Sequence, residues 1–182
     1  MTFEKTVTLK DGRNCLLRNG VTSDGKAVLD VFNRTHEETD YLLTYSDENC
    51  FTASQEADFL QRKTDSTNTV EIIAIVDGVV AGTAGIDALG MRDKIKHRAV
   101  FGIAITKEFW GLGIGKYLME ACIECAREAG YLKLELEVVA ENERAVEMYR
   151  RAGFIEYGRN AKAFRLRTGE YQELIDMRLE LK

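Results

Sequence analysis

The sequence predicts an α/β fold in which a mixed sheet is covered by helices on both faces. Three observations lead there. Segments with an apolar period of two alternate along the chain with segments of period 3.6. The strand-like segments fall in pairs around Asp11-Gly12, Asp77-Gly78 and Thr168-Gly169, which are hairpin signals. No repeat, linker or low-complexity stretch divides the 182 residues, and proline is absent, so a single domain over residues 1–182 is expected.

Taken in order, Thr6 to Leu17 reads as a hairpin about Asp11-Gly12. Ser23 is the N-cap expected for a helical segment reaching about Leu43, with Val28, Val31 and Phe32 on one face. A shorter helix is expected from about Ser54 to Arg62. Thr69–Val76 and Val79–Ile86 are strands joined by Asp77-Gly78, and His97–Thr106 is a third, strongly apolar strand. It runs into a turn carrying Gly111, Gly113 and Gly115. The next helix places Ile114, Leu118, Ala121, Cys125 and Ala129 on one stripe and stops at Gly130. Leu132, Leu134, Leu136 and Val138 alternate with Lys133, Glu135 and Glu137, a strand. Asn142 opens a helix with Ala145, Tyr149 and Ala152 on one side, ending at Gly153. Phe154–Arg167 and Tyr171–Leu181 close as strands about Thr168-Gly169.

Composition narrows the function. With 45% apolar and 30% charged residues the chain is of the globular class. Its longest apolar run, about seven residues from Ala99 to Ile105, falls far short of the ~20 needed to span a membrane. The start, MTFEKTVTLKDG, has no signal-peptide core, so a cytoplasmic protein with no membrane partner is expected. A net charge of −5 argues against nucleic acid and suits cationic ligands such as amines. Cys122 and Cys125 form a C-x-x-C, but in mid-helix, where nothing lowers a thiol pKa. No second Cys or His pair completes a metal site, so buried helix-face thiols and no metal are expected.

The chemistry lies in the glycine turn. Opening straight onto a helix, it exposes backbone N–H groups at the positive end of the helix dipole, a site for phosphate. A P-loop alignment on Gly115-Lys116 needs glycine at Trp110 and a hydroxyl at Tyr117, and has neither. The dinucleotide fingerprint fits Gly111 and Gly113 but finds Lys116 where its third glycine belongs.

A third pattern fits. The apolar strand GIAITKEF, followed by Trp110-Gly111-Leu112-Gly113-Ile114-Gly115, resembles motif A of the GCN5-related N-acetyltransferases (GNAT). Downstream, Asn142, Ala145, Tyr149, Gly153 and Phe154 match in register the family's N-x-x-A-x-x-x-Y-x-x-x-G-F run. The resemblance covers roughly Val70 to Leu181, and the bacterial small-amine and ribosomal-protein-alanine types are the most similar kinds. It implies a mostly antiparallel central sheet of about six or seven strands with about four helices. The helices at about 23–63 would form the acceptor side, and residues of about 70–181 the acetyl-CoA core. The backbone of Gly111, Leu112, Gly113, Ile114, Gly115 and Lys116 would cradle the coenzyme pyrophosphate. The pantetheine arm would lie along Ile103, Ala104 and Ile105 like an added strand, bonded to the backbone of Ile103 and Ile105. Asn142 would bond the pantetheine or simply cap its helix. Tyr149 would protonate the departing thiolate, its alternative being a core aromatic with a bonded hydroxyl.

The reaction implied is direct attack of a primary amine, of a small molecule or a protein N-terminus, on acetyl-CoA. Two positions depart from the pattern. Trp110 stands where many relatives carry Gln or Arg, and Val100 where many carry a glutamate base. Glu135, Glu137, His97, or water held by Glu71 or Asp87 are the remaining base candidates. The missing glutamate also leaves a non-catalytic acyl-CoA sensor as the rival reading. His36, Glu37, Glu38, Asp40 and Tyr41 form an acidic cluster suited to attracting an amine or to solvating a helix end. Arg159, Lys162, Arg165 and Arg167 form a cationic run that would meet the coenzyme 3′-phosphate, a partner subunit or only solvent. A homodimer is the one protein partnership expected, through apolar strand edges near the C-terminus.

Overall fold

Eight strands form one sheet in the order β1-β2-β3-β4-β5-β6-β8-β7 in this computed structural model, which describes residues 1–181. The elements are β1 (Glu4–Thr8), β2 (Asn14–Asn19), α1 (Gly25–Glu38), α2 (Ala53–Asp65), β3 (Val70–Val76), β4 (Val79–Ala88), β5 (Arg98–Ile105), α3 (Ile114–Glu128), β6 (Lys133–Val139), α4 (Glu143–Arg151), β7 (Ile155–Arg165) and β8 (Tyr171–Glu180). The mixed, mostly antiparallel sheet and four helices are as expected. The strands exceed the six or seven expected because both arms of the N-terminal hairpin join the sheet.

Alternation along the strands sorts side chains between two layers. Ile72, Ala74 and Val76 of β3 face the main core, shared with Leu118, Cys122 and Cys125 of α3 and Val146 and Tyr149 of α4. Ile73 points the other way, packing on Val28 of α1 and Leu60 of α2. Thus α1 and α2 cover one face, and α3 and α4 the other. The C-x-x-C reading holds: all four cysteines are free, Cys122 and Cys125 are buried, and burial pushes the Cys125 thiol up to about 12. One thiol per native chain, Cys50, should therefore react with a soluble thiol reagent, against four after denaturation.

The first helix differs from expectation at both ends. Ser23 does not cap it. Thr22–Asp24 form a short 3-10 turn, and α1 begins after Asp24, whose carboxylate accepts from Val21 N at 2.9 Å and pairs with Arg18. The helix stops at Glu38, where Thr39 turns extended, rather than at Leu43. The second helix runs longer than expected, from a capping box at Thr52 and Gln55 to Asp65.

One feature of the sheet makes the site. Among the described residues, β5 and β6 are its only parallel neighbours, and they pair over just three positions, Arg98–Val100 against Lys133–Glu135. Beyond these the strands part. Arg98 and Glu135 close the apex with a bidentate ion pair of 2.6 Å in each arm.

Candidate active site

The gap between β5 and β6 opens into a cleft of about 1370 Å³ that passes through the sheet. On the α1 side it is lined by Thr35, Tyr41, Leu42, Leu43 and Val100, and on the other side by Gly111, Gly113, Gly115, Asn142 and Tyr149. A site this large exceeds the usual single-ligand pocket and has room for two reactants.

Backbone direction on β5 follows from its pairing with β4. Thr106 N donates to Ala81 O and Arg98 O accepts from Leu89 N, so even-numbered residues bond β4. The amide groups of Ile103 and Ile105 therefore face the gap, as an added strand requires. Those of Ala104 are committed to β4, leaving that residue its side chain. The Ile105 carbonyl is already engaged, accepting from the Trp110 indole at 2.6 Å, so only its N–H remains. Trp110 is thus a post fixed to β5, with Lys107 and Arg144 beside its ring.

The glycine turn is shaped by conformations other residues resist. Gly111 and Gly113 have φ of +88° and +96°, and Gly113 immediately precedes α3. At Gly115 a Cβ would meet Met148 Sδ of α4 at 3.0 Å, and that flexible side chain would have to shift by a few tenths of an ångström. The N-terminal hairpin braces the turn: Lys10 N donates to Leu112 O at 3.1 Å, and the Tyr117 hydroxyl donates to Thr8 O. Leu112 itself lies outside the cleft lining. Lys116 lies within it.

Asn142 caps α4 through Oδ1, accepting from Ala145 N at 3.3 Å, and its amide nitrogen remains free to donate. Tyr149 is buried between Phe101 and Phe154, and burial pushes its phenol well above the ordinary value. Among the described residues its hydroxyl has no protein hydrogen-bond partner, unlike a tyrosine retained only for the core. Among cations that the sequence did not single out, Lys10 and Arg144 lie beside the glycine turn on this side, and Arg151 of α4 also lines the cleft. Neither Lys10 nor Arg144 belongs to a motif; the hairpin and α4 bring them in from opposite ends of the chain.

Of the base candidates, Glu137 lines the cleft and is exposed. Glu135 lines it too, but the Arg98 guanidinium holds its carboxyl below the usual range, a poor base. His97 lines a separate small pocket with Met91 and Leu132, away from the cleft. Asp87 pairs with Lys63. Glu71 lies behind the α1 side of the sheet, and burial pushes its carboxyl up to about 7. Val100, where the resemblance led a glutamate to be expected, does line the cleft.

Two charged groupings are taken up mostly by contacts outside the cleft. Glu38 of the acidic cluster accepts from Lys107 N at 2.6 Å and pairs with Arg34, while His36 stacks on Phe32. Only Tyr41 of that cluster reaches the cleft, together with Thr39. None of the cationic run lines it. Arg159 pairs with Glu156 and Glu173, and Arg167 pairs bidentately with Asp47 while lying over the Tyr45 ring. The last contact ties the α1–α2 loop to the β7–β8 turn beside the entrance.

A parted parallel strand pair facing a glycine turn at a helix N-terminus is the arrangement that the resemblance to acyl-coenzyme A-dependent transferases implies. A family model described as the Acetyltransferase (GNAT) family matches residues 28–154. The chain belongs to that family, whose members are acyltransferases using acetyl-CoA. It is 32% identical over 112 residues to L-amino acid N-acetyltransferase AaaT of Escherichia coli, a match spanning 61% of this chain and 68% of AaaT. Mycothiol acetyltransferase of Propionibacterium freudenreichii is 42% identical, over 30% of this chain but only 18% of its own length. Among solved structures, a GNAT-family acetyltransferase from Streptococcus pneumoniae superposes with a TM-score of 0.87 at 28% identity, covering 91% of this chain and 99% of that one. The fold is also that of yncA from Salmonella typhimurium, solved with its cofactor acetyl-CoA (TM-score 0.82, 16% identity, covering 93% and 95%).

Proposed function

We propose that this protein transfers the acetyl group of acetyl-CoA to a primary amine by direct attack within one ternary complex. The observation that carries the reading is the parting of β5 from β6 beyond Val100 and Glu135, opposite the glycine turn. The residues fit the coenzyme: positive-φ glycines open the helix N-terminus to a pyrophosphate, and the free N–H of Ile103 and Ile105 suits the pantetheine amides. Gly111, Gly113, Ile114, Gly115 and Lys116 would hold the pyrophosphate, with Arg144 and Lys10 adding charge. Asn142 would donate to the pantetheine. The bound coenzyme supplies the thioester. Tyr149, kept protonated by burial, would give its proton to the departing sulfur.

The acceptor enters from the α1 side in this reading, with residues of about 23–63 as its half and 70–181 as the coenzyme core of one domain. The walls there are apolar, from Tyr41, Leu42, Leu43, Phe164 and Leu174, with the carboxylate of Glu137 among them. That suits an amine on an apolar body, such as an amino acid or a protein N-terminus. The name of AaaT makes L-amino acids the first acceptors to try. A cytoplasmic location and a homodimer through the outer edge of β7 complete the proposal. Among the described residues no helix is long and apolar enough to cross a membrane.

Saturating acetyl-CoA should raise the melting temperature, with ATP–magnesium and NAD as controls. At ~100 times the dissociation constant the gain is roughly 2.7 kcal/mol, or about 5–10 °C for a chain of this size. A folded sample that does not shift would refute the reading.

A further inference from the structure

The reaction needs a group to take a proton from the incoming ammonium, and β5 offers only Val100 where a glutamate would serve. The α1 side of the sheet holds a carboxylate that approaches the cleft from farther off. Glu71 on β3 is in register with Gly85 on β4, and Gly85 with Gly102 on β5, so the three lie in one row across the sheet. A Cβ at Gly85 would collide with the Glu71 carboxylate, which therefore lies over β4, reaching toward β5. Above Gly102 a Cβ would meet nothing within 4 Å, and Gly102 lines the cleft. Neighbouring strands are ~4.8 Å apart, so the carboxylate stands about one water molecule from the open floor of the acceptor half. Two glycines in succession clear that path.

We propose that Glu71, reaching over Gly85 toward the open floor at Gly102, accepts the proton of the acceptor ammonium through one water. The inference rests on the acetyltransferase reading and names its missing base. The carboxylate takes one proton by way of the water, leaving a neutral amine. The amine nitrogen then bonds the thioester carbon, the C–S bond breaks with its electron pair going to sulfur, and Tyr149 gives sulfur a proton. The Tyr149 oxygen recovers a proton from the new amide nitrogen, and Glu71 returns its own to solvent. The surroundings suit a group that must both take and release a proton near neutrality. Burial and the charges of Asp87 and Glu56 raise its carboxyl, while Lys63 on α2 and the Thr83 hydroxyl oppose that rise. Across the sheet lies Cys122 of α3, whose thiol burial keeps un-ionised.

The test compares wild type, Glu71→Gln and Gly102→Ala, measuring coenzyme A release with the fastest acceptor from an L-amino acid and polyamine panel across pH. Wild type should gain kcat/KM as pH rises through about 7. Glu71→Gln should lose that limb and about 10²-fold in rate, with its acetyl-CoA melting shift kept. Gly102→Ala has space for its methyl and should fold. Its methyl fills the water's place, so the same limb should go. Infrared titration of wild type against Glu71→Gln needs no acceptor and should show one carboxyl protonating near neutral pH. A Glu71→Gln enzyme within threefold of wild type on an unchanged pH profile overturns the inference, as does a Glu71 carboxyl titrating in the ordinary range. A wild type that ignores acetyl-CoA instead removes the parent reading, and it does so in the melting assay.

Discussion

Tyr149→Phe is expected to lower kcat by about 10²–10⁴-fold while leaving the acetyl-CoA melting shift intact. The change deletes one oxygen from a side chain held between Phe101 and Phe154, so the ring packing survives. The lost hydroxyl has no partner among the described residues, so no buried group is left unsatisfied and stability should change little. In the proposed reaction, what disappears is the group that would protonate the departing sulfur. Burial keeps that phenol protonated across the physiological range, which makes it an acid and not a base. Single-turnover release of free thiol, followed with the melting shift, checks both halves of the statement. A sensor that only binds acyl-CoA would show the shift in both proteins and turnover in neither.

Arg98→Met is expected to destabilise the fold by about 2 kcal/mol, lowering the melting temperature by ~4–8 °C. It leaves the Glu135 carboxylate, about 10% exposed, without its bidentate partner at the point where β5 and β6 stop pairing. Arg98 is itself about 33% exposed, so solvent screening keeps the loss below the 3–5 kcal/mol of a fully buried pair. The pH dependence has a definite sign. Arg98 depresses the Glu135 pKa below its ordinary 4.5, so the pair contributes above that pH and is lost as pH falls through the depressed value. Melting curves of the two proteins should therefore differ most near neutral pH and converge in acid. Equal melting temperatures at pH 7 would mean that Lys133 and Arg178, which also lower the Glu135 pKa, suffice to hold it.

What could be read from the chain was whatever the backbone itself demands. Positive φ at Gly111, Gly113, Gly130 and Gly153 forces glycine, so turn and helix ends were visible as residue types. The Asn142 cap and the alternation from Leu132 to Val138 are likewise local. The site residues that stayed hidden are those that converge through distant pairing. Lys10 reaches the glycine turn because its hairpin hydrogen-bonds Leu112; Glu71 was a base candidate from the sequence, but its row with Gly85 and Gly102 exists only in the strand register. The charged clusters stayed ambiguous for the same reason: nothing local shows that Glu38 accepts from Lys107 N, and the partner of Arg167, Asp47, lies 120 residues away.

The strand order carries a consequence for how the chain is made. The last strand in sequence, β8, lies between β6 and β7, so β7 cannot dock on the sheet until residues 171–180 have been synthesised. On a ribosome, β1 to β5 and α3 can assemble first, each strand finding an earlier neighbour. The β6 strand could then add to β5 over its three paired positions, while the wall carrying Phe164 and Leu174 would wait, one side of the cleft standing open. A nascent chain would thus hold the glycine turn before it had a finished acceptor half, and insertion of a single strand would complete the latter.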